Sequence, residues 1–482
     1  MNDPSADLTT PQRLSDGRLS ALATLIDDLG LGSHFRGNAT MNGADPIIQS
    51  PHRLGEASAT AQLLIGAAGA AIWNARTGQH NDVAIDIVDA LHFLHPTHYV
   101  MQSGHTMNVG AEHVAINNNF LCRDGKYVML EAGPPYPKLL DGYLNFFDCG
   151  NNLESLAREV AKWDSVELEE ALSAKGLPAC RARTRDEWLA HPQGAILSKA
   201  PVIEIEKIAE GDPVPFNPAG SADSPLQGLR VLDFTHVLAG PRSTRTLAEY
   251  GAQVLHISSP AFRDTVAQHL GVDFGKRNAY LNLRDAADHE RMFQLVASAD
   301  VFATTYRTSV NSRFGLRPED VAARSERGII SVNANAYGHD GPWADRPGFD
   351  QNGQVATGFA LTEGRGVKPK FSPVFYLADL MTGYFAAAGA MAALLRRSIE
   401  GGSYRVDVSL ARSAMWVQEL GLLNTELQDR LAATDTYPFT TSQISTVYGP
   451  ITHLAPPVRF SELVLPEITQ LTPYGSDAAR WI

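Results

Sequence analysis

Three cysteines in 482 residues, Cys122, Cys149 and Cys180, are too few and too scattered for a disulfide framework or a zinc site, and they suit a reducing cytoplasm. No apolar run approaches the roughly 18 residues that span a bilayer, so no membrane partner is expected. The start, "MNDPSADLTTPQRLSDG", lacks both a basic opening and an apolar core, which speaks against a signal peptide. Excess basic charge is also lacking: the formal net charge of −13 argues against a general nucleic-acid binder. An anionic ligand would have to be held by a local cluster of cations and backbone N–H groups. Several chemistries lose their signatures too, because there is no G-x-S-x-G elbow, no H-E-x-x-H, no P-loop and no G-x-G-x-x-G. A carboxylate nucleophile is the economical choice left.

What is present is an alternation of strands and helices. After the proline- and glycine-rich stretch "DPVPFNPAGSADSP", which reads as a linker and sets a domain boundary at 225/226, "LRVLDF" (229–234) is a continuous apolar strand. Further strands are read at 252–257, 279–283, 299–305 and 328–334, with helices between them. Pro241 fits the first turn of the first helix, and Gly251 fits the position just past its end. This predicts an α/β fold: an open, mostly parallel, Rossmann-like sheet domain over 226–482. Residues 1–225 form a smaller α+β domain. Ligands in such sheets sit beyond the carboxyl ends of the strands.

The sequence also repeats. "GAAGAAIWNARTGQHNDVAIDI" (66–87) aligns without gaps on "GAMAALLRRSIEGGSYRVDVSL" (389–410), an offset of 323 that also sets Glu56 against Asp379. Each copy is a small-residue helix, a glycine turn and an alternating strand.

Four stretches could carry chemistry. "HVLAGP" (236–241) is a small-residue turn opening a helix, equally suited to a phosphate or to an ordinary strand-to-helix turn. Arg263, Lys276, Arg277, Arg307 and Arg313 sit at strand ends, where they could neutralise phosphates or simply be solvated. The loop "NAYGHDGPWADRPGFD" (335–350) follows an apolar strand and offers N–H donors, Tyr337 and Gly338 among its residues. Locally, its last residue, Asp350, reads as a helix N-cap. Asp379 opens the helix "LADLMTGYFAAAGAMAALL" and is also a plausible cap.

Taken together, "PLQGLRVLDFTHVLAGP", "FGKRNAYLNLRD", "ADVFATTYRTSVNSRFGL", "AYGHDGPWADRPGFD" and "LADLMTGYFAAAGAMAALLRR" resemble the class III CoA-transferase family, over about 226–413. The first half, with "NARTGQHNDVAIDI" and "DGKYVML", resembles the family's second half, so the chain looks like two family units fused and trimmed. The resemblance implies coenzyme A as substrate and Asp350 as nucleophile. Asp379 falls on an acidic position used in proton transfer by the family's racemases. His236, Val237, Leu238, Ala239, Arg263, Lys276, Arg277, Tyr306 and Arg313 fall on CoA contacts, and Tyr337 and Gly338 join them in the loop. Phe349 stands where racemases carry histidine, which argues against racemisation. The small domain's glycine-rich loop is poorly matched by "EAGPPYPK" (131–138). The implied partners are an acyl-CoA and a small carboxylic acid, with no metal. A homodimer is expected, because the apolar faces around Leu63, Ile72 and Leu394 would otherwise stay open. A racemase, a lyase or hydratase, and a non-catalytic CoA binder are the alternatives.

Overall fold

The computed structural model describes residues 17–107, 114–133, 136–217, 223–262, 264–424 and 437–482. At its centre is a seven-stranded sheet. In spatial order it runs Lys276–Tyr280, Gln253–Ser258, Arg230–Phe234, Val301–Thr304, Ile330–Asn335, Ser403–Ser409 and Glu204–Ala209. The first six strands are parallel and the last is antiparallel. This is the doubly wound order, which reverses between Arg230–Phe234 and Val301–Thr304 and leaves a crevice there. The continuous apolar runs read from the sequence are strands buried on both faces. Gly251 lies just past the Ala239–Glu249 helix at φ +97, as expected of its left-handed stop.

The packing does not divide at 225/226. Glu204–Ala209, on the near side of that boundary, is a strand of the main sheet. The helix Leu54–Thr77 packs on Leu377–Glu400, and the side chain of Arg76 donates to the carbonyls of Pro225 and Gln227. Residues from Leu19 to Val458 share one core. The part with a core of its own is a small α+β lobe between Ile116 and Ala179. It is built on the sheet of Asn118–Leu121, Tyr127–Leu130 and Ala179–Arg181.

The repeat is visible in three dimensions. Helices Leu54–Thr77 and Leu377–Glu400 have the same length and are related by the offset of 323 residue for residue. Gly66 and its counterpart Gly389 each lie against the matching valine of their own copy. A Cβ on Gly66 would come within 3.3 Å of Val83 Cγ1, and one on Gly389 within 2.6 Å of Val406 Cγ1. Asp86 and its counterpart Ser409 both cap the helix that follows, accepting from Val88 and Arg412 amides. Because the two long helices cover each other, Leu63, Ile72 and Leu394 are at most 1% exposed within one chain, which removes the reason for expecting a dimer. Leu377–Glu400 has the length and mean hydropathy of a membrane span, contrary to the sequence reading, yet that stretch is wholly buried in the fold.

Candidate active site

A cleft of about 370 Å³ opens where the strand order reverses. One wall comes from the strand ends: His236, Val237 and Ala239 after Arg230–Phe234, and Thr305, Tyr306 and Arg307 after Val301–Thr304. A second comes from the loop after Ile330–Asn335, through Arg346, Pro347, Gly348 and Phe349, with Asp379 at the head of the long helix. The small lobe supplies the roof through Tyr136, Lys138, Leu139 and Pro178. Tyr136 Oη donates to Asp264 Oδ1 at 2.7 Å, tying roof to floor.

The turn after the first strand is held tightly. His236 N donates to Thr305 Oγ1 at 3.0 Å, and the imidazole stacks on Tyr306 at 4.7 Å. Burial lowers the pKa of His236 and favours its neutral form. Val237 sits at φ +67, a strained conformation for a β-branched residue, and its N–H donates to Asp264 Oδ2 at 2.8 Å. Gly240 is required by close approach, since a Cβ there would lie 2.4 Å from Thr305 Cγ2.

Asp350 is the first residue of the helix Asp350–Ala356, whose N-cap is Phe349; the local N-cap reading of Asp350 does not hold. Its Oδ1 instead accepts the N–H of Asp379 at 2.8 Å, and Oδ2 accepts from Gln354 Nε2. Asp379 is the third residue of its helix and not a cap. The two carboxyls are thus joined through the head of one helix, with Asp379 on the cleft and Asp350 only 1% exposed behind it. Burial pushes the Asp350 carboxyl up to about 7, against the pull of the helix-head amides and Gln354. Burial, then the charges of Asp350 and Glu131, push the Asp379 carboxyl well above its ordinary range. No basic group pairs with Asp379 among the described residues.

Several expected CoA contacts lie elsewhere. Lys276 is fully buried, and its three N–H bonds go to Asp233, Asp273 and the carbonyl of Pro241, each at 2.9 Å. Although burial alone would raise them, the Lys276 ammonium and His256 hold both carboxyls well below their usual range. Ligating atoms of Asp233, His256 and Asp273 fall within 4.8 Å of one another, and the ammonium is the cation that two of these groups hold. Arg277 is engaged by the C-terminal segment, through Asp477 and the carbonyls of Ala478 and Arg480. Leu238 is buried beneath the turn, and Arg313 is exposed and away from the cleft. Tyr337 and Gly338 anchor the loop to the segment that follows the small lobe: Gln193 Nε2 donates to Tyr337 O at 2.8 Å, and Gly338 abuts Leu197. Arg263 lies outside the described residues. Among the described residues, the cations that line the cleft are Arg307, Arg346 and Lys138, and Arg346 is paired with Glu170 at 2.6 Å. Sequence reasoning does not single out Lys138, Tyr136 or Glu131, although all three belong to "EAGPPYPK".

An α/β sheet with a cleft at its switch point and paired carboxyls at a helix head defines a place for chemistry without naming the reaction. The family likeness comes from comparison: residues 226–445 match CoA-transferase family III. It is 30% identical over 337 residues to the acetyl-coenzyme A transferase nodX of Hypoxylon pulicicidum, covering 65% of this chain and 56% of the relative. Over 211 residues it is 32% identical to the acetyl-CoA:oxalate CoA-transferase of Acetobacter aceti, covering 41% and 52%. The solved structure of Rv3272 from Mycobacterium tuberculosis overlaps 46% of this chain and 62% of that one, at 28% identity and a TM-score of 0.38. The chain spans about half the length of the curated relatives it matches.

Proposed function

We propose that the chain transfers CoA from an acyl-CoA to a carboxylic acid, with Asp350 as nucleophile and Asp379 as its proton-holding partner. The carboxyl pair at the edge of the switch-point cleft carries this reading. Of the two, Asp350 ionises first, because amide donors at the helix head stabilise its anion while Asp379 has only like charges facing it. Asp350 attacks the thioester carbonyl, the C–S bond breaks, and the thiolate leaves with the electron pair. A thiol of pKa about 8.5 leaves without a strong acid. The thiolate then attacks the aspartyl carbonyl, releases the first carboxylate and leaves an enzyme–CoA thioester. The acceptor carboxylate reverses the sequence. On this reading Arg307 and Lys138, both on the cleft, hold the CoA phosphates, and the roof keeps water from the anhydride. Phe349, which lines the cleft beside Asp350, gives no base in the place where a racemase would need one.

The test is to incubate the protein with acetyl-, propionyl- and succinyl-CoA and locate the covalent CoA adduct by peptide mass spectrometry. An adduct on the peptide carrying Asp350, absent from Asp350→Asn, is the expected result. Asp379 is the acid that faces the cleft, and an adduct on its peptide would make it the nucleophile. Binding of CoA with no adduct from any thioester would return the chain to a binding role.

A further inference from the structure

The segment that matches the family's closing loop so poorly brings a third carboxyl to the site. Glu131 follows directly on the strand Tyr127–Leu130, which lies against the helix Asp350–Ala356. Met129 pairs with Cys180, whose Sγ lies 3.4 Å from the carbonyl of Asn352. Two residues on from Met129, the same strand face carries Glu131 toward the head of that helix, where Asp350 sits. The turn after it is pinned: Glu131 Oε1 accepts the N–H of Gly133 at 3.1 Å, and a Cβ on Gly133 would lie 2.8 Å from Phe349 Cζ. Tyr136, three residues further, stacks on Phe349 at 5.9 Å and forms the roof.

Glu131 is 5% exposed and has no basic partner among the described residues. The titratable groups facing it are Asp350, Asp379 and Tyr376 from the sheet domain, and Tyr143 from its own lobe. Burial, aided by the charge of Asp350, pushes its carboxyl up to about 8. Apart from that turn contact, burying an acid without a cation costs stability. Kept neutral, it is a hydrogen-bond donor close enough to Asp350 to feel its charge.

Resting on the transferase reading, we propose that protonated Glu131 donates a hydrogen bond to the oxyanion formed when Asp350 attacks the thioester. The new bond is between Asp350 Oδ and the acyl carbon. The thiolate takes the electron pair of the broken C–S bond, and the proton stays on Glu131 throughout. Seating of the small lobe thereby completes the oxyanion site.

Single-turnover formation of the CoA adduct, followed from about pH 5.5 to about pH 9.5 with the acyl-CoA that labels the wild type fastest, tests this. The wild-type rate should fall above about pH 8. Glu131→Gln keeps a donor that does not titrate, so it should stay within about 10-fold of wild type and lose the alkaline fall. Glu131→Ala should be slower by about 100-fold, with CoA affinity by calorimetry within about twofold of wild type. Wild-type rates in Glu131→Ala, or an alkaline fall that survives in Glu131→Gln, would overturn the assignment. A wild-type protein that forms no adduct with any thioester overturns the transferase reading first, and this inference with it.

Discussion

At the head of Leu377–Glu400, an aspartate from an upstream segment accepts the N–H of the helix's third residue, itself an acid: Asp350 to Asp379, at 2.8 Å. At the head of Leu54–Thr77 the same arrangement recurs with Asp45 and Glu56, again at 2.8 Å, and Asp45 also accepts from Gly55. The copies part at the residue before each helix. It is Tyr376 in one and Arg53 in the other, and Arg53 lies 3.1 Å from Glu56. Their surroundings differ as well. Asp379 faces a largely apolar cleft at the sheet's switch point, whereas Glu56 faces a recess of about 470 Å³ lined by Arg18, Arg53 and Glu419. Burial pushes the Asp45 carboxyl up to about 6, less far than Asp350. One backbone geometry thus supports two outcomes. In one copy a guanidinium sits beside the second acid; in the other, two buried acids lie together without a cation and burial pushes both upward.

Breaking that contrast gives the largest effect. Asp350→Asn should cut adduct formation by at least about 10³-fold, while Asp45→Asn, its counterpart, should leave the rate within about twofold. Equal losses in both variants would mean that the copies are functionally equivalent. Tyr376→Arg imports the N-terminal arrangement into the cleft. An opposite charge within reach typically lowers a carboxyl by about 1 to 3 units, so the acidic limb of the rate profile should move down by about one unit and the rate fall by about 10-fold. A limb that stays in place would show that the residue before the helix does not set the pair's charge state.

Stability sharpens the comparison further. Asp379 has its folded pKa raised, so its contribution is present at low pH and is lost as pH rises through that value. Asp379→Asn should therefore melt higher than wild type at about pH 8, by about 1 °C for each kcal/mol gained, and the gain should vanish near about pH 4. Thermal melts across that range check it. The smallest effect is expected for Arg53→Met, which leaves Glu56 without its cation on a partly exposed face and should cost about 1 kcal/mol in denaturant titrations.

The strands of the sheet are legible because both of their faces are buried, so that "LRVLDF" and "GIISVNA" are apolar without alternation. The repeat is legible because Gly66 and Gly389 meet the same valine in each copy, a contact that constrains both positions. Glu204–Ala209 is hidden from such a reading, since an antiparallel edge strand, half-exposed along its length, is free to be written "EIEKIA". Lys276 passes for a phosphate ligand because sequence shows a charge and not its partners: Asp233, 43 residues away, meets it only across two strands. Glu131 is inconspicuous for the opposite reason. A glutamate after a strand is ordinary, and only the meeting of lobe and sheet domain puts it beside two other acids.

Roof and floor of the cleft belong to a single polypeptide, tethered through the segment that enters the sheet at Glu204. Their encounter is therefore unimolecular, with an effective concentration fixed by the tether and not by how much protein is in solution. Dilution cannot part them.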